Sequence, residues 1–193
     1  MSFYGRSVDR SDLVAFTKEV AERFEHKEIR GPIHLNSESQ IEPLIEIFKE
    51  IKRTDYVLST WRSTYHALLH GVPRDKVMAE ILAGRSMQLH FPEHRFMSSS
   101  IVGGMLPIAC GLASRERVWC FVGDMCESTG GFKDAQRYAS GHGLDLHLVV
   151  ENNGLSTNTP TSLTWGLESA KQYRGYDYKR TTQHCGTDTY VAF

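Results

Sequence analysis

The stretch that decides the fold is RVWCFVGDMCESTGGFKDAQRYASGHGLDLHLVVENN, at residues 117–153. It begins with the run RVWCFVGD and ends with LDLHLVVENN, and both are rich in the residue types of buried strands. Between them, TGGFKDAQRYAS is typical of a helix. A strand, a helix and a strand in this order predict a right-handed crossover between parallel strands. The stretch therefore predicts an α/β fold with a parallel sheet flanked by helices.

Polar side chains follow each of the two predicted strands. Asp124 ends the first run, and Asn153 ends the second. In such sheets ligands gather at the carboxyl ends of the strands, so we expect both side chains at one edge. A carboxylate with an amide oxygen suits Mg²⁺ that carries phosphate oxygens, and the helix that ESTGG opens offers free N–H groups to phosphate. The residues therefore favour a magnesium-bridged diphosphate, although Gly-Asp and Asn-Asn-Gly also form ordinary turns.

Two helices with one apolar face each are predicted before residue 54. SDLVAFTKEVAERFEHKEI has helical spacing at Leu13, Phe16, Val20 and Phe24. SESQIEPLIEIFKEIK fits a helix with a Ser39 cap and Pro43 in its first turn, and its apolar face holds Ile41, Leu44, Ile45, Phe48 and Ile51. We expect residues 1–54 to pack as a helical segment on an α/β domain at residues 55–193, within a single domain overall.

The remaining segments are shorter. DYVLS predicts a strand, STYHALLHG and PRDKVMAEILAG predict two short helices, and IVGGMLPIACGLAS predicts a closely packed helix. Residues 85–100 have no clean period and are interpreted as a loop. Sequence beyond residue 158 is less regular and ends on the strand-like GTDTYVAF.

Composition excludes several classes of protein. The 22 basic residues nearly balance the 23 acidic ones without a block of like charge, so no nucleic-acid partner is expected. The first residues lack the apolar core of a signal peptide, and no apolar stretch is long enough to span a membrane. The four cysteines form no CxxC pair, which favours reduced thiols in a cytoplasmic protein.

The spacing of the two polar sites resembles the signature of thiamine diphosphate-dependent enzymes, GDG, a gap and then NN. Twenty-six residues separate Met125 from Asn152 here. The resemblance implies thiamine diphosphate and Mg²⁺ as cofactors. It places Mg²⁺ on Asp124, Asn153 and the backbone carbonyl of Leu155. It also places the diphosphate on the backbone around Gly123, at Met125 and Cys126.

Two further stretches are similar to the α subunit of 2-oxoacid dehydrogenases. DYVLSTWRSTYHALLHGVP is similar to the segment whose aromatic-Arg pair, here Trp61 and Arg62, contacts the cofactor phosphate, and a guanidinium fork suits that role. GRSMQLH followed by SSSIVGGMLPIACGLAS resembles a segment beside the aminopyrimidine ring, here Ser100 and Val102. The matches occur in order over about residues 55–158, and they imply the thiamine diphosphate-binding fold.

The chain departs from this family at several positions. Met125 replaces the last glycine of GDG, where a side chain narrows the pocket or requires a negative φ. Thr64 and Gln88 stand where the family often has histidine, and NNGLS resembles transketolases more than dehydrogenases. A non-catalytic relative that keeps the fold, or a transketolase-like N-terminal half, are therefore alternatives.

The resemblance also implies a partner. In this family a second, pyrimidine-binding domain supplies the glutamate that activates the aminopyrimidine, and that glutamate cannot be located here. We therefore expect a β-type partner subunit in a homo- or heterodimer or tetramer. Its substrate would be a small 2-oxo compound, decarboxylated or used in ketol chemistry through the cofactor.

Histidines are the candidate catalytic side chains. His66 follows the phosphate-binding arginine, and His90 and His94 are placed to line the cofactor mouth or contact substrate. His66 and His70 also have zinc spacing, although packing on a core explains helix-face histidines as well. A metallophosphoesterase needs an Asp-x-His before the Gly-Asp, and the one present, Asp145-Leu146-His147, comes after it.

Overall fold

The computed structural model describes residues 8–166 and 173–187 of the chain. Its helices are α1 Arg10–Glu25, α2 Ile41–Phe48, α3 Thr64–Leu69, α4 Arg74–Leu82, α5 Met105–Ala113, α6 Asp124–Glu127, α7 Gly130–His142 and α8 Thr161–Trp165. Its strands are β1 Tyr56–Ser59, β2 His90–Phe91, β3 Phe96–Ser98, β4 Val118–Gly123, β5 Leu146–Asn152, β6 Leu155–Ser156, β7 Thr159–Pro160 and β8 Gly175–Asp177. Short 3₁₀ helices occupy Glu38–Gln40 and Pro92–His94.

A six-stranded sheet in the order β2-β3-β1-β4-β5-β8 forms the centre of the fold. Every pair in it is parallel except β2 with β3. The register pairs Gly123 of β4 with Glu151 of β5, so the residues that follow these strands lie at the same edge. The predicted α/β class, the parallel β4–β5 pair and the helix between them are confirmed.

Helices cover both faces of the sheet. Along β4, Trp119 and Phe121 belong to one buried cluster and Cys120 and Val122 to another, because successive side chains of a strand point to opposite faces. The first cluster includes residues of α1 to α4, and the second includes residues of α5 to α7. This two-sided cover explains why β4 is apolar throughout.

The N-terminal helices pack largely as the apolar spacing predicts. All four periodic residues of α1 are buried. The second predicted helix is divided into a 3₁₀ turn and α2, and the Ser39 cap is wrong. Ser37 instead forms a capping box with Gln40, and the Ser39 hydroxyl donates to the Lys179 carbonyl at 2.8 Å.

The loop prediction for residues 85–100 is wrong. Phe96–Ser98 forms β3, which pairs in parallel with β1. His90–Phe91 forms β2, which pairs antiparallel with β3. The strand β8 was not predicted either, whereas most of the predicted strand GTDTYVAF lies outside the described residues. These strands have two or three residues each, too few to display a period of two.

In the described ranges, no helix combines the length and the apolar character needed to cross a bilayer. Each cysteine carries a free thiol, and Cys110, Cys120 and Cys126 are buried.

Candidate functional site

A cleft that is partly open to solvent lies at the carboxyl ends of the central strands. Its walls come from the residues after β1, the turn from β4 into α6, the end of β5 and the hairpin β6–β7. The loop before α5 and the segment after β8 complete it. Parallel strands bring their carboxyl ends together, which explains why distant parts of the chain meet here.

Asp124 is the buried acid of the cleft. Its residue is only 2% exposed, and its Oδ1 accepts the backbone N–H of Asn153 at 3.5 Å. Its Oδ2 is buried and finds no hydrogen-bond partner in the described ranges. Burial raises the pKa of this carboxyl group, the nearby Thr161 side chain opposes that rise, and the negative charge of Glu127 adds to it. Asp124 therefore has one oxygen available to a cation.

Asn153 lies beside Asp124 with its amide held at both ends. Its Nδ2 donates to the Tyr178 hydroxyl at 2.6 Å, and its Oδ1 accepts the Leu155 N–H at 2.9 Å. An amide oxygen has two lone pairs, so one remains. Asn152 is used differently, because its side chain bonds Asp177 at 2.9 Å and the Gly154 N–H at 3.0 Å.

The Leu155 carbonyl is not used by its own hairpin. Pairs in an antiparallel hairpin alternate between bonded and non-bonded. The Thr161 N–H donates to the Gly154 carbonyl at 3.0 Å, so the next pair, Leu155 with Pro160, is a non-bonded one. The proline also has no N–H to donate. This carbonyl is therefore free to accept a ligand.

Arg62 is a buried cation without a carboxylate partner in the part of the chain that the structure describes. Its Nε donates to the Leu35 carbonyl at 3.1 Å, and its Nη2 donates to the His184 carbonyl at 3.0 Å. Burial lowers the pKa of this guanidinium. The Nε1 of neighbouring Trp61 is buried and has no partner among the described residues, and the Trp61 ring lies edge-on to His34 and His184.

Comparison with known proteins agrees with this geometry. A family model described as "Dehydrogenase E1 component" matches residues 10–177. The chain belongs to the dehydrogenase E1 component family. The pyruvate dehydrogenase E1 component subunit alpha of Rickettsia typhi is 30% identical over 166 residues, which are 72% of this chain and 50% of that relative. That of Porphyra purpurea is 31% identical over 131 residues, which are 55% and 38% of the two chains.

These findings confirm the resemblance to the α subunits of thiamine diphosphate-dependent 2-oxoacid dehydrogenases. This E1-family chain spans about half the length, or less, of the curated relatives that it matches.

The first turn after β4 accommodates a methionine at the position of the last glycine of GDG. Met125 is the second residue of α6, and it is not among the residues with positive φ. Its Sδ accepts the indole N–H of Trp165 at 3.1 Å. Gly123 leaves open space, since an added Cβ would meet nothing within 4 Å. The Cys126 thiol is buried, which raises its pKa to about 11.

The loop before α5 lines the cleft, but only one of its two predicted residues does so. Val102 lines the cleft and is 50% exposed, whereas Ser100 is not among the lining residues. Ser99 and Ile101, on either side of it, do line the cleft.

None of the three candidate catalytic histidines lines the cleft. His66 is fully buried in α3, where its Nε2 lies 3.1 Å from Glu151 Oε1 and its ring packs edge-on to Phe121. His90 and His94 belong to β2 and the 3₁₀ turn after it, at the far edge of the sheet. Their catalytic role gains no support from these positions, because His66 lies behind the lining residues Glu151 and Phe121 and the other two lie at the sheet edge.

Several lining residues were not singled out from the sequence. Tyr178, Arg180 and His184 come from the segment after β8, and Glu151 precedes the paired asparagines. Glu151 accepts hydrogen bonds from Tyr176 and Gln40 and is 5% exposed. A charged residue inside an apolar strand is a signal that could have identified Glu151.

Within the residues that the structure describes, no group of three or more His, Cys, Asp or Glu side chains could hold a metal ion. This gives the zinc and dinuclear phosphoesterase hypotheses no support. His147 instead bonds Asp145 at 2.8 Å and stacks on Trp119. A site made from one carboxylate, one amide and one carbonyl is of a different kind, typical of Mg²⁺ that completes its shell with phosphate and water.

Proposed function

We propose that this chain binds thiamine diphosphate through Mg²⁺ and acts as the α-type subunit of a 2-oxoacid dehydrogenase-like enzyme. The observation that carries the proposal is a pair of uncompensated groups in one cleft. Among the described residues, Asp124 has a buried oxygen without a partner, and Arg62 has a buried charge without a carboxylate. Leaving such groups unpaired costs free energy, so a ligand that pairs with both is expected.

Each lining group has a role in this proposal. Asp124 Oδ2, Asn153 Oδ1 and the Leu155 carbonyl would hold Mg²⁺, and Arg62 would bind diphosphate oxygens as a charged fork. The backbone around Gly123, Met125 and Cys126 would face the diphosphate, and Trp61 and Val102 would bound the ring end of the cleft. The cofactor would supply the electron sink for cleaving a bond next to a 2-oxo group.

A partner subunit would complete the site. The loop before α5 exposes Ile101 and Val102 at the mouth of the cleft. We infer that a pyrimidine-binding chain covers this mouth and supplies the activating glutamate. Residues 1–54 would serve as the helical layer of one domain with residues 55–193, since α1 and α2 share a buried cluster with β1 and β4.

A non-catalytic relative is the second candidate. Met125 fills the glycine position and is tied to Trp165 by a hydrogen bond at 3.1 Å, which narrows the diphosphate end. None of the candidate catalytic histidines His66, His90 and His94 lines the cleft, which agrees with lost turnover. Reconstitution with the partner subunit tests it, since decarboxylation of a 2-oxoacid measured with an artificial electron acceptor excludes a non-catalytic role. A ketose donor with an aldose acceptor, followed by measuring the new ketose formed, tests the transketolase-like alternative in the same reconstituted complex.

Calorimetric titration of thiamine diphosphate tests the binding proposal. We expect binding to the wild-type chain, assayed alone and with its partner subunit, only when Mg²⁺ is present. Asp124→Ala should lose that Mg²⁺ dependence together with most of the affinity. Asp134→Ala, which removes an exposed carboxylate from α7, is the matched control and should bind normally. Unchanged affinity in Asp124→Ala would remove the metal site from the proposal.

A further inference from the structure

Tyr178 connects the end of β8 to the candidate metal site. Its backbone N–H donates to the Asn152 carbonyl at 2.8 Å, which continues the pairing of β8 with β5 by one residue. Its side chain lines the cleft, and its hydroxyl oxygen accepts the Asn153 Nδ2–H at 2.6 Å. The ring is therefore fixed by its own strand beside the tip of the neighbouring one.

Two contacts, one at each end, fix the position of the Asn153 amide. A side-chain amide is nearly symmetric in shape, and a half-turn exchanges its oxygen for its nitrogen. Here Nδ2 has an oxygen acceptor in Tyr178, and Oδ1 has an N–H donor in Leu155. The reversed amide would set its nitrogen against the Leu155 N–H, so two donors would face each other, whereas the Tyr178 hydroxyl can either donate or accept. The Leu155 N–H therefore selects the oxygen end, and the Tyr178 hydroxyl holds the other end in place. A cation accepts only the oxygen as a ligand, so the orientation matters for binding.

We propose that Tyr178 is a positioning residue for the metal site, which holds the Asn153 amide with its oxygen available to Mg²⁺. The inference rests on the proposed function, and it adds a residue outside the signature that suggested the site. Hydrogen-bond partners of metal ligands orient those ligands, and removing one typically weakens metal affinity 10- to 100-fold.

The surroundings of Tyr178 agree with this role. The Arg62 guanidinium lies near the phenol, so the same side chain neighbours both the metal ligand and the candidate phosphate clamp. Over the described ranges, the Tyr178 hydroxyl donates no hydrogen bond of its own. Its proton is thus available to an oxygen acceptor in the cleft, such as a phosphate oxygen.

Tyr178→Phe tests the proposal, with Tyr176→Phe as its matched control. Tyr176 lies two residues earlier on the same strand, and its hydroxyl bonds Glu151 instead of Asn153. Mn²⁺ replaces Mg²⁺ as the probe, because the electron paramagnetic resonance signal of free Mn²⁺ gives the affinity directly. The titration uses the full chain with saturating thiamine diphosphate and, in parallel, with the partner subunit.

We expect roughly 10- to 100-fold weaker Mn²⁺ binding in Tyr178→Phe and less than about threefold change in Tyr176→Phe. A role in stability alone would lower the melting temperature of both variants and leave both affinities near wild type, which would overturn the proposal. Failure of the wild-type chain to bind Mn²⁺ would overturn the proposed function and this role together.

A second background keeps the test specific. Asn153→Ala removes the amide that Tyr178 holds. Tyr178→Phe should therefore change the residual Mn²⁺ binding much less in the Asn153→Ala background than in the wild type. An equal loss in both backgrounds would show that Tyr178 does not act through the Asn153 amide.

Discussion

Asp124 is a residue whose burial makes sense only with a ligand. It is 2% exposed, and its Oδ2 has no partner among the described residues. In the chain without a cation this carboxylate lowers stability, because a buried acceptor has lost its water. Function and stability are therefore expected to oppose each other at this position.

Asp124→Asn should separate the two effects. We expect the free energy of unfolding, measured by urea denaturation without divalent cations, to rise by about 1 kcal/mol, because a buried charge is removed. Mn²⁺ binding in the presence of thiamine diphosphate should be lost. Asp134→Asn, at an exposed site, should change neither quantity. A destabilised Asp124→Asn chain would contradict this account.

His70 gives the chain a dependence on pH that is independent of the cleft. It is 2% exposed, and its Nε2 donates to the Asp55 carbonyl at 3.1 Å. Burial, and then the charge of Arg53, lower its pKa to about 4. The unfolded chain keeps the ordinary pKa of about 6.5 and so binds a proton that the folded chain refuses. Stability from this group is present above pH 6.5 and falls as the pH drops toward 4.

His70→Gln should flatten that dependence. Glutamine keeps an N–H donor for the Asp55 carbonyl but does not titrate. Between pH 6.5 and 4.5 the slope of the unfolding free energy should decrease by up to about 1.4 kcal/mol per pH unit. His34, whose pKa burial lowers to about 3, keeps part of the slope in both proteins. Identical slopes for variant and wild type, from denaturation series at several pH values, are the result that excludes this role.

The sequence predicted the side chains that directly follow a strand, but not the side chains that reach the cleft from distant segments of the chain. Asp124 and Asn153 are local features of strand ends, so their place followed from β4 and β5. Tyr178 reaches the cleft only because β8 pairs with β5, and a strand of three residues carries no periodic signal. His66 was predicted as a catalytic side chain but is fully buried, because the spacing of residues in α3 does not show which face of the helix is buried.

At the element scale, the hairpin β6–β7 presents the Leu155 carbonyl and holds a strained residue. Thr157 opens its turn with a φ of 56°, in a region that β-branched residues rarely adopt. The Thr157 carbonyl accepts a hydrogen bond from Arg180 Nη1. The hairpin is thereby fixed to the segment after β8.

Thr157→Gly should stabilise the chain. A positive φ at the first turn residue favours glycine, and the relief should exceed glycine's entropic cost by about 0.5–1 kcal/mol. The Arg180 contact survives, because it uses the backbone carbonyl. Thr159→Gly, in the extended strand β7, should instead destabilise. Thermal unfolding of the two variants and the wild type tests this prediction. A midpoint for Thr157→Gly below that of the wild type would contradict it.

Long elements were predictable and short ones were not. The helices α1 and α7 and the strands β4 and β5 have 16, 13, 6 and 7 residues, enough to display their patterns. The strands β2, β3 and β8 have two or three residues and are defined by their neighbours rather than by composition. The order of the strands in the sheet could not be predicted either, because it depends on the pairings of these short strands.

At the scale of the whole molecule, the cleft opens beside an apolar surface. Ile101, Val102 and Ile108 are 70%, 50% and 40% exposed, and they lie on α5 or the loop before it. Exposed apolar patches of this kind mark contacts with other proteins. Ile101 and Val102 line the cleft, and Ile108 follows them on α5, which agrees with a partner subunit that closes the site.

Ile108→Glu should weaken assembly with that partner. Burying a charge in an apolar contact is unfavourable, so we expect at least about a tenfold loss of affinity, measured by mass photometry or sedimentation. Leu82→Glu is the control, because Leu82 is 36% exposed on α4, which does not line the cleft. Equal assembly of wild type and both variants would place the partner on another surface.

The most direct test of the central claim is a crystal structure of the chain with thiamine diphosphate and Mn²⁺, using the anomalous signal of the metal. We expect a single strong anomalous peak in contact with Asp124 Oδ2, Asn153 Oδ1 and the Leu155 carbonyl, with the diphosphate against Arg62. A bound cofactor without a peak at these three oxygens, or a peak elsewhere in the molecule, would contradict it.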